Sequence, residues 1–165
     1  DPCMAINAGD LIELKSERGV VTLIVLERVQ CGDCMNGLNI LVPYGAGFIG
    51  SSLCERLVAE GHSVLAYDSL FRGSEANLSS LQNHSNFQFM QGDVRDIDRL
   101  DEAIEHLGGV ELIFHLAAVN GTKWFHEAAH SVIDVNINGT LRTLELAMAH
   151  NARYVASEQQ LGFFK

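Results

Sequence analysis

Proline is nearly missing, with two in 165 residues. Its ring locks φ and removes a donor, so this scarcity leaves regular elements uninterrupted, and 15 glycines supply tight turns between them. Positive charge is scant as well. Eleven Lys and Arg stand against 21 Asp and Glu, a formal net charge of −10. Nucleic acid and anionic membranes are recognised by basic surfaces, so neither is expected as a partner. An anionic small ligand is not excluded, because backbone N–H groups at a helix start hold a phosphate without any lysine. Long hydrophobic runs are absent too. The longest, residues 20–26, contains Thr22 and lies between Arg18 and Glu27, far too short to span a bilayer. No basic region opens the chain at Asp1-Pro2-Cys3-Met4, so no signal peptide is expected. The four cysteines (Cys3, Cys31, Cys34 and Cys54) make no secreted framework, and a reducing cytoplasm is the expected compartment.

What is there reads as one globular domain. Hydrophobic residues are 47% and charged residues 19% of a length sufficient for one core and short for two. No repeat or low-complexity stretch interrupts it. Residues 1–37 differ from the rest. Apolar, β-branched runs at 10–14 and 20–28 flank Lys15-Ser16-Glu17-Arg18-Gly19, the pattern of a β-hairpin with a polar turn. Cys31-Gly32-Asp33-Cys34 follows, then the turn signal Asn36-Gly37.

From Leu38 onward strands alternate with helices. Strands are expected at 39–42, 63–67, 87–90, 110–115 and 153–156. Ile49, Leu53, Leu57 and Val58 follow helical spacing up to Gly61. A short helix is expected at 75–81, and another after Asp96 as N-cap, carrying Ile97, Leu100, Ile104 and Leu107. A long helix is expected over 128–150, with Val132, Val135, Ile137, Leu141, Leu144 and Leu146 among its apolar positions. The alternation predicts an α/β fold, a Rossmann-type doubly wound parallel sheet truncated after about five strands, with a short N-terminal β-rich extension. The expected division is 1–37 as extension, 38–157 as dinucleotide-binding domain and 158–165 as tail. Strand five would then lie near an unprotected edge, through which copies of the chain could associate.

Gly45-Ala46-Gly47-Phe48-Ile49-Gly50 matches G-x-G-x-x-G, which alone describes any glycine-rich turn. Here it follows an expected strand, opens an expected helix, and is followed about 20 residues later by Asp68 at the end of the next strand. Glycines permit the tight turn and a close approach of backbone to a pyrophosphate. The helix start supplies oriented donors, and Asp68 would accept from adenosine ribose hydroxyls. A carboxylate there repels a 2′-phosphate, which favours NAD over NADP.

With Gly45–Gly50, four further segments carry a family resemblance from Asn39 to Tyr154. These are Asp68-Ser69-Leu70-Phe71-Arg72-Gly73 with Asn77-Leu78, Gly92-Asp93-Val94-Arg95-Asp96, His115-Leu116-Ala117-Ala118, and Asn136-Ile137-Asn138-Gly139-Thr140. In order and spacing they resemble the N-terminal part of the extended short-chain dehydrogenase/reductases, the family of NAD-dependent sugar-nucleotide epimerases and dehydratases. The resemblance implies that Asp93 and Val94 meet the adenine, that Leu116, Ala117 and Ala118 line the middle of the cofactor, and that Asn136 supports the active-site framework. On the residues alone, Asp93 would equally cap the following helix, Leu116–Ala118 would be strand-end packing, and Asn136 would bond neighbouring backbone.

Two departures stand out. The family's loop reads Thr-Gly-x-x-Gly-x-x-Gly, and here Pro43 and Tyr44 hold the first two places. If that position requires positive φ, Tyr44 is strained, and its ring would obstruct a pyrophosphate, so NAD binding is expected to be weak or lost. The family's catalytic Tyr-x-x-x-Lys does not occur: Phe48, Phe71 and Glu158 stand four residues beyond Tyr44, Tyr67 and Tyr154. The chain is therefore expected to carry the cofactor-binding portion only, with no catalytic residue and no turnover by itself. A non-catalytic interaction module on an incomplete sheet is the alternative.

Two metal patterns compete with this reading. Cys31-x-x-Cys34 would supply half a zinc site, with Cys3 and a histidine recruited, or simply two turn thiols. His126-Glu127-Ala128-Ala129-His130 matches His-Glu-x-x-His literally, and a zinc hydrolase would need both histidines on one helix face plus a third ligand, which cannot be assigned.

Overall fold

The computed structural model describes residues 11–16, 19–25, 37–119 and 122–157. Strands β1 (Leu11–Ser16) and β2 (Gly19–Val25) pair antiparallel, with Ser16 opposite Gly19. Then come β3 (Asn39–Pro43), α1 (Phe48–Ala59), β4 (Ser63–Asp68), β5 (Phe87–Gln91), α2 (Ile97–Leu107) and β6 (Leu112–His115). The chain closes with α3 (Thr122–Glu127), α4 (Ala129–Ile133), α5 (Gly139–Ala149) and β7 (Arg153–Ser157).

One seven-stranded sheet runs in the order β1-β2-β7-β6-β3-β4-β5. Its five strands from β7 to β5 are all parallel, giving the Rossmann-like arrangement. Parallel strands covered on both faces read as continuous apolar runs, which explains Ile40-Leu41-Val42 and Val64-Leu65-Ala66. The pleat then sorts alternate residues. Ile40, Val42, Val64 and Ala66 pack with Leu53, Leu57 and Val58 of α1 on one face. Leu41, Leu65, Tyr67 and Ile113 pack with Leu100, Ile104 and Leu107 of α2 and Leu146 of α5 on the other. Local chemistry sets the ends of α2. Asp96 Oδ1 accepts from the Arg99 amide at 3.1 Å, and Gly108 terminates the helix at φ 84°.

Several expectations are corrected. The open edge predicted beside the fifth parallel strand is not open, because β2 pairs antiparallel with β7 and places Leu23 opposite Ser157. The terminal strands of the sheet are β1 and β5, so association through a bare β7 edge is withdrawn. The helix predicted for 75–81 is a single 3₁₀ turn, Glu75–Leu78. The strand predicted from 110 begins at Leu112. The helix predicted for 128–150 starts earlier, at Thr122, and breaks at Ala128, whose φ of −148° and ψ of 41° are not helical. It also contains a π-helical segment, Asp134–Asn138. Side chains of Ile133, Ile137, Leu141 and Met148 are exposed along its outer face.

Among the described residues no helix is long and apolar enough to cross a membrane. Cys3, Cys31 and Cys34, and the expected tail 158–165, lie outside the described residues.

Candidate cofactor-binding site

Successive strands from β3 to β5 step outward to one side of β3, and β6 returns to its other side. Loops leaving β3 and β6 therefore diverge, which opens a crevice at the carboxyl ends of the parallel strands. A cavity of about 440 Å³ lies there. Tyr44 follows β3 into it, Asp68–Ser69 and Phe71–Arg72 follow β4, Gly92–Arg95 follow β5, and Ala117–Val119 follow β6. Trp124, Val132 and Val135 close the remaining side.

Close packing dictates the glycine turn. A Cβ on Gly45 would lie 2.6 Å from that of Ala66 on β4, and one on Gly50 would strike the Tyr44 carbonyl oxygen and come within 2.8 Å of Gly45 Cα. The turn is tied to β4 by main-chain donors: the Tyr44 and Gly45 amides reach the Tyr67 carbonyl at 2.7 and 3.3 Å. Asp68 completes the tie. Its Oδ2 accepts from the Ala46 amide at 3.0 Å and its Oδ1 from the Leu70 amide at 2.8 Å. Burial pushes this carboxyl above the usual range, while the two amides pull it back. Helix α1 starts at Gly47 with no side-chain cap.

Tyr44 is the part of the turn that faces the cavity. Its φ is 68°, in the left-handed region where a tyrosine is strained. Its ring lies against Gly47, and a Cβ on Gly47 would sit within 2.7 Å of ring atoms Cδ1, Cε1 and Cζ. Burial raises the phenol's pKa, so the ring is uncharged at neutral pH.

The other predicted residues divide into two groups. Asp68, Asp93, Val94, Ala117 and Ala118 line the cavity. Gly45, Gly47, Phe48, Ile49, Gly50, Leu116 and Asn136 do not. Leu116 is turned into the core with Val42 and Phe114, Ile49 packs on the same cluster, and Phe48 points to solvent. Asn136 is buried on the π segment and clamps the loop after β6: its Oδ1 accepts from the Val119 amide at 2.7 Å, and its Nδ2 donates to the Val119 carbonyl at 3.1 Å.

Sequence reasoning missed three features of the site. Arg95 holds Asp93 through Nε at 2.9 Å and Nη2 at 2.7 Å, and bridges to Asp134 at 2.7 Å. This holds the Asp93 carboxyl well below the ordinary carboxylate range. The i, i+2 spacing of Asp93 and Arg95 was the available signal. Phe71 and Trp124, which both line the cavity, meet with ring centroids 4.9 Å apart, with no local signal because they come from separate elements. Beneath the site, fully buried His115 lies 3.1 Å (Nδ1) from Thr143 Oγ1 and 3.2 Å (Nε2) from Thr140 Oγ1, and Thr143 Oγ1 in turn lies 3.1 Å from the Tyr154 hydroxyl.

The zinc motif is not assembled. His126 lies in the last turn of α3 and His130 lies on α4 beyond the break at Ala128, so no single helix face carries both. Among the described residues no group of three His, Cys, Asp or Glu side chains is placed to hold a metal.

A parallel sheet with a strand–glycine turn–helix and an acidic residue ending the next strand defines a Rossmann-type nucleotide-binding domain. The profile of the NAD dependent epimerase/dehydratase family matches residues 40–158, and the chain belongs to that family. It is 38% identical over 118 residues to the UDP-glucose 4-epimerase of Mycolicibacterium smegmatis, covering 72% of this chain and 37% of that protein. It is 31% identical over 128 residues to UDP-glucuronic acid decarboxylase 2 of Arabidopsis thaliana, covering 78% and 27%. Among solved structures, the UDP-glucose 4-epimerase of Thermus thermophilus in complex with NAD superposes with a TM-score of 0.60 at 30% identity, over 68% of this chain and 34% of that one. The chain thus spans about a third of the length of the curated relatives it matches.

Proposed function

We propose that this chain is the cofactor-holding part of a sugar-nucleotide epimerase- or dehydratase-like protein, with no turnover of its own. The observation that carries the reading is Asp68, a buried carboxylate at the end of β4, hydrogen-bonded to the glycine turn and lining the cavity at the carboxyl ends of the parallel strands. A carboxylate oxygen accepts more than one hydrogen bond, so Asp68 would also accept from a ribose hydroxyl. Gly92, Asp93 and Val94 would flank the adenine, and Ala117 and Ala118 the stretch beyond it. Bound NAD would supply a hydride acceptor.

The fit to NAD is uneven. The adenosine end has a cavity and an acceptor. The diphosphate end meets the Tyr44 ring where it needs bare Gly47 backbone, so NAD affinity is expected to be weak or nil. No Tyr-x-x-x-Lys pair is available among the 165 residues to move a proton during hydride transfer. A cytoplasmic location goes with this reading, since the four cysteines make no secreted framework.

Calorimetric titration with NAD and ADP-ribose, together with chromatographic detection of epimerised or dehydrated sugar nucleotide from UDP-glucose and dTDP-glucose, tests the proposal. Weak or undetectable NAD binding and no turnover are expected. Turnover by this polypeptide alone would overturn it.

A further inference from the structure

We infer that Tyr44 determines ligand specificity, closing the diphosphate compartment and leaving this chain a site for adenine nucleosides that lack a bridging diphosphate. This rests on the nucleotide-holding reading above and adds the ligand class.

The argument starts at Gly47. In a glycine turn of this kind the residue at the helix mouth lacks a side chain so that a diphosphate can come against its backbone. The space a Cβ would take there is filled by three atoms of the Tyr44 ring. The Tyr44 main chain is pinned on both sides, its amide donating to the Tyr67 carbonyl at 2.7 Å and its carbonyl accepting from Gly47 at 3.2 Å. The ring packs against both core clusters, so swinging it aside uncovers apolar surface. Charge does not close the turn, because the positive end of the α1 dipole would favour an anion there, so it is the bulk of the Tyr44 ring over Gly47 that excludes a diphosphate.

What remains suits a smaller, uncharged ligand. The cavity, at about 440 Å³, is near the small end of ligand pockets, which run from roughly 300 to 1,000 Å³. Asp68 offers acceptors for ribose hydroxyls, and Val94, Ala117 and Val135 offer an apolar wall for a base.

The test is isothermal titration of the full 165-residue chain and of Tyr44→Gly and Tyr44→Phe with adenosine and with NAD. Wild type is expected to bind adenosine at least tenfold more tightly than NAD, a difference of about 1.4 kcal/mol. Tyr44→Phe, which keeps the ring, should match wild type, and Tyr44→Gly should gain at least tenfold for NAD while adenosine changes less than twofold. If Tyr44→Gly does not fold, the wild-type preference decides alone. Wild type binding NAD as tightly as adenosine overturns the inference and leaves the nucleotide-holding reading standing. Wild type failing to bind adenosine overturns it as well, and if Tyr44→Gly then binds neither ligand, the nucleotide-holding reading falls with it.

Discussion

The carboxylate of Asp68 accepts a hydrogen bond from the amide of Ala46 across 3.0 Å, joining the end of the second parallel strand to the turn that opens the first helix. With the Leu70 amide on its other oxygen, Asp68 organises two loops at once. Asp68→Asn puts an NH₂ against one of those amides and should destabilise the fold by about 1–3 kcal/mol at neutral pH. Its folded pKa lies above the ordinary 3.8, so just above that value the native state holds more protons than the unfolded chain. Asp68's contribution to stability therefore falls as pH rises through that window. Urea denaturation of wild type and Asp68→Asn at several pH values checks both, and the wild-type advantage should shrink with rising pH.

His115 titrates with the opposite sign. Burial lowers its pKa from 6.5 to about 3, so between those values the unfolded chain binds the extra proton. Its contribution is complete above pH 6.5 and is lost as pH falls toward 3, at about 1.4 kcal/mol per unit. Replacing it by Gln should lower the acid slope of stability by about one proton, measured by denaturation between these limits.

Thr143 is the hub under the site, with His115 Nδ1 and the Tyr154 hydroxyl both 3.1 Å from its Oγ1. Thr143→Val keeps the shape and strands those two polar groups in the core. A loss of about 1–3 kcal/mol is expected, with Thr143→Ser retaining most of the stability. Thermal unfolding of the pair separates the hydroxyl from the methyl.

Asn136 fixes the loop after β6 through both atoms of the Val119 peptide group. Asn136→Ala should speed amide hydrogen exchange at Val119 while leaving exchange in β4 unchanged. Unaltered exchange at Val119 would remove Asn136 from this positioning role.

Gly50→Ala tests the turn geometry. In an ordinary helix that change is favourable by about 1 kcal/mol. Here the new methyl meets the Tyr44 carbonyl and Gly45 Cα, which are backbone and cannot yield, so a net loss of stability is expected in chemical denaturation.

Much of the architecture is written in local pattern. The apolar runs of β3 and β4, the Asp96 and Gly108 ends of α2, and the spacing from Gly45–Gly50 to Asp68 each depend on residues near one another in the chain. Period, capping and turn chemistry act over a few residues, so the sequence by itself determined the parallel α/β order and the place of the site. Other features needed the folded chain: β2 covering β7, the break at Ala128, Arg95 taking the Asp93 carboxylate, and Phe71 meeting Trp124. The placing of the Tyr44 ring over Gly47 belongs with these. The departure at Tyr44 is visible in the letters, but where its ring goes depends on a φ set by Tyr67 and on two cores that press it inward. Hydrogen-bond partners and ring packing are chosen among groups brought together from distant parts of the chain, and no local period encodes that choice.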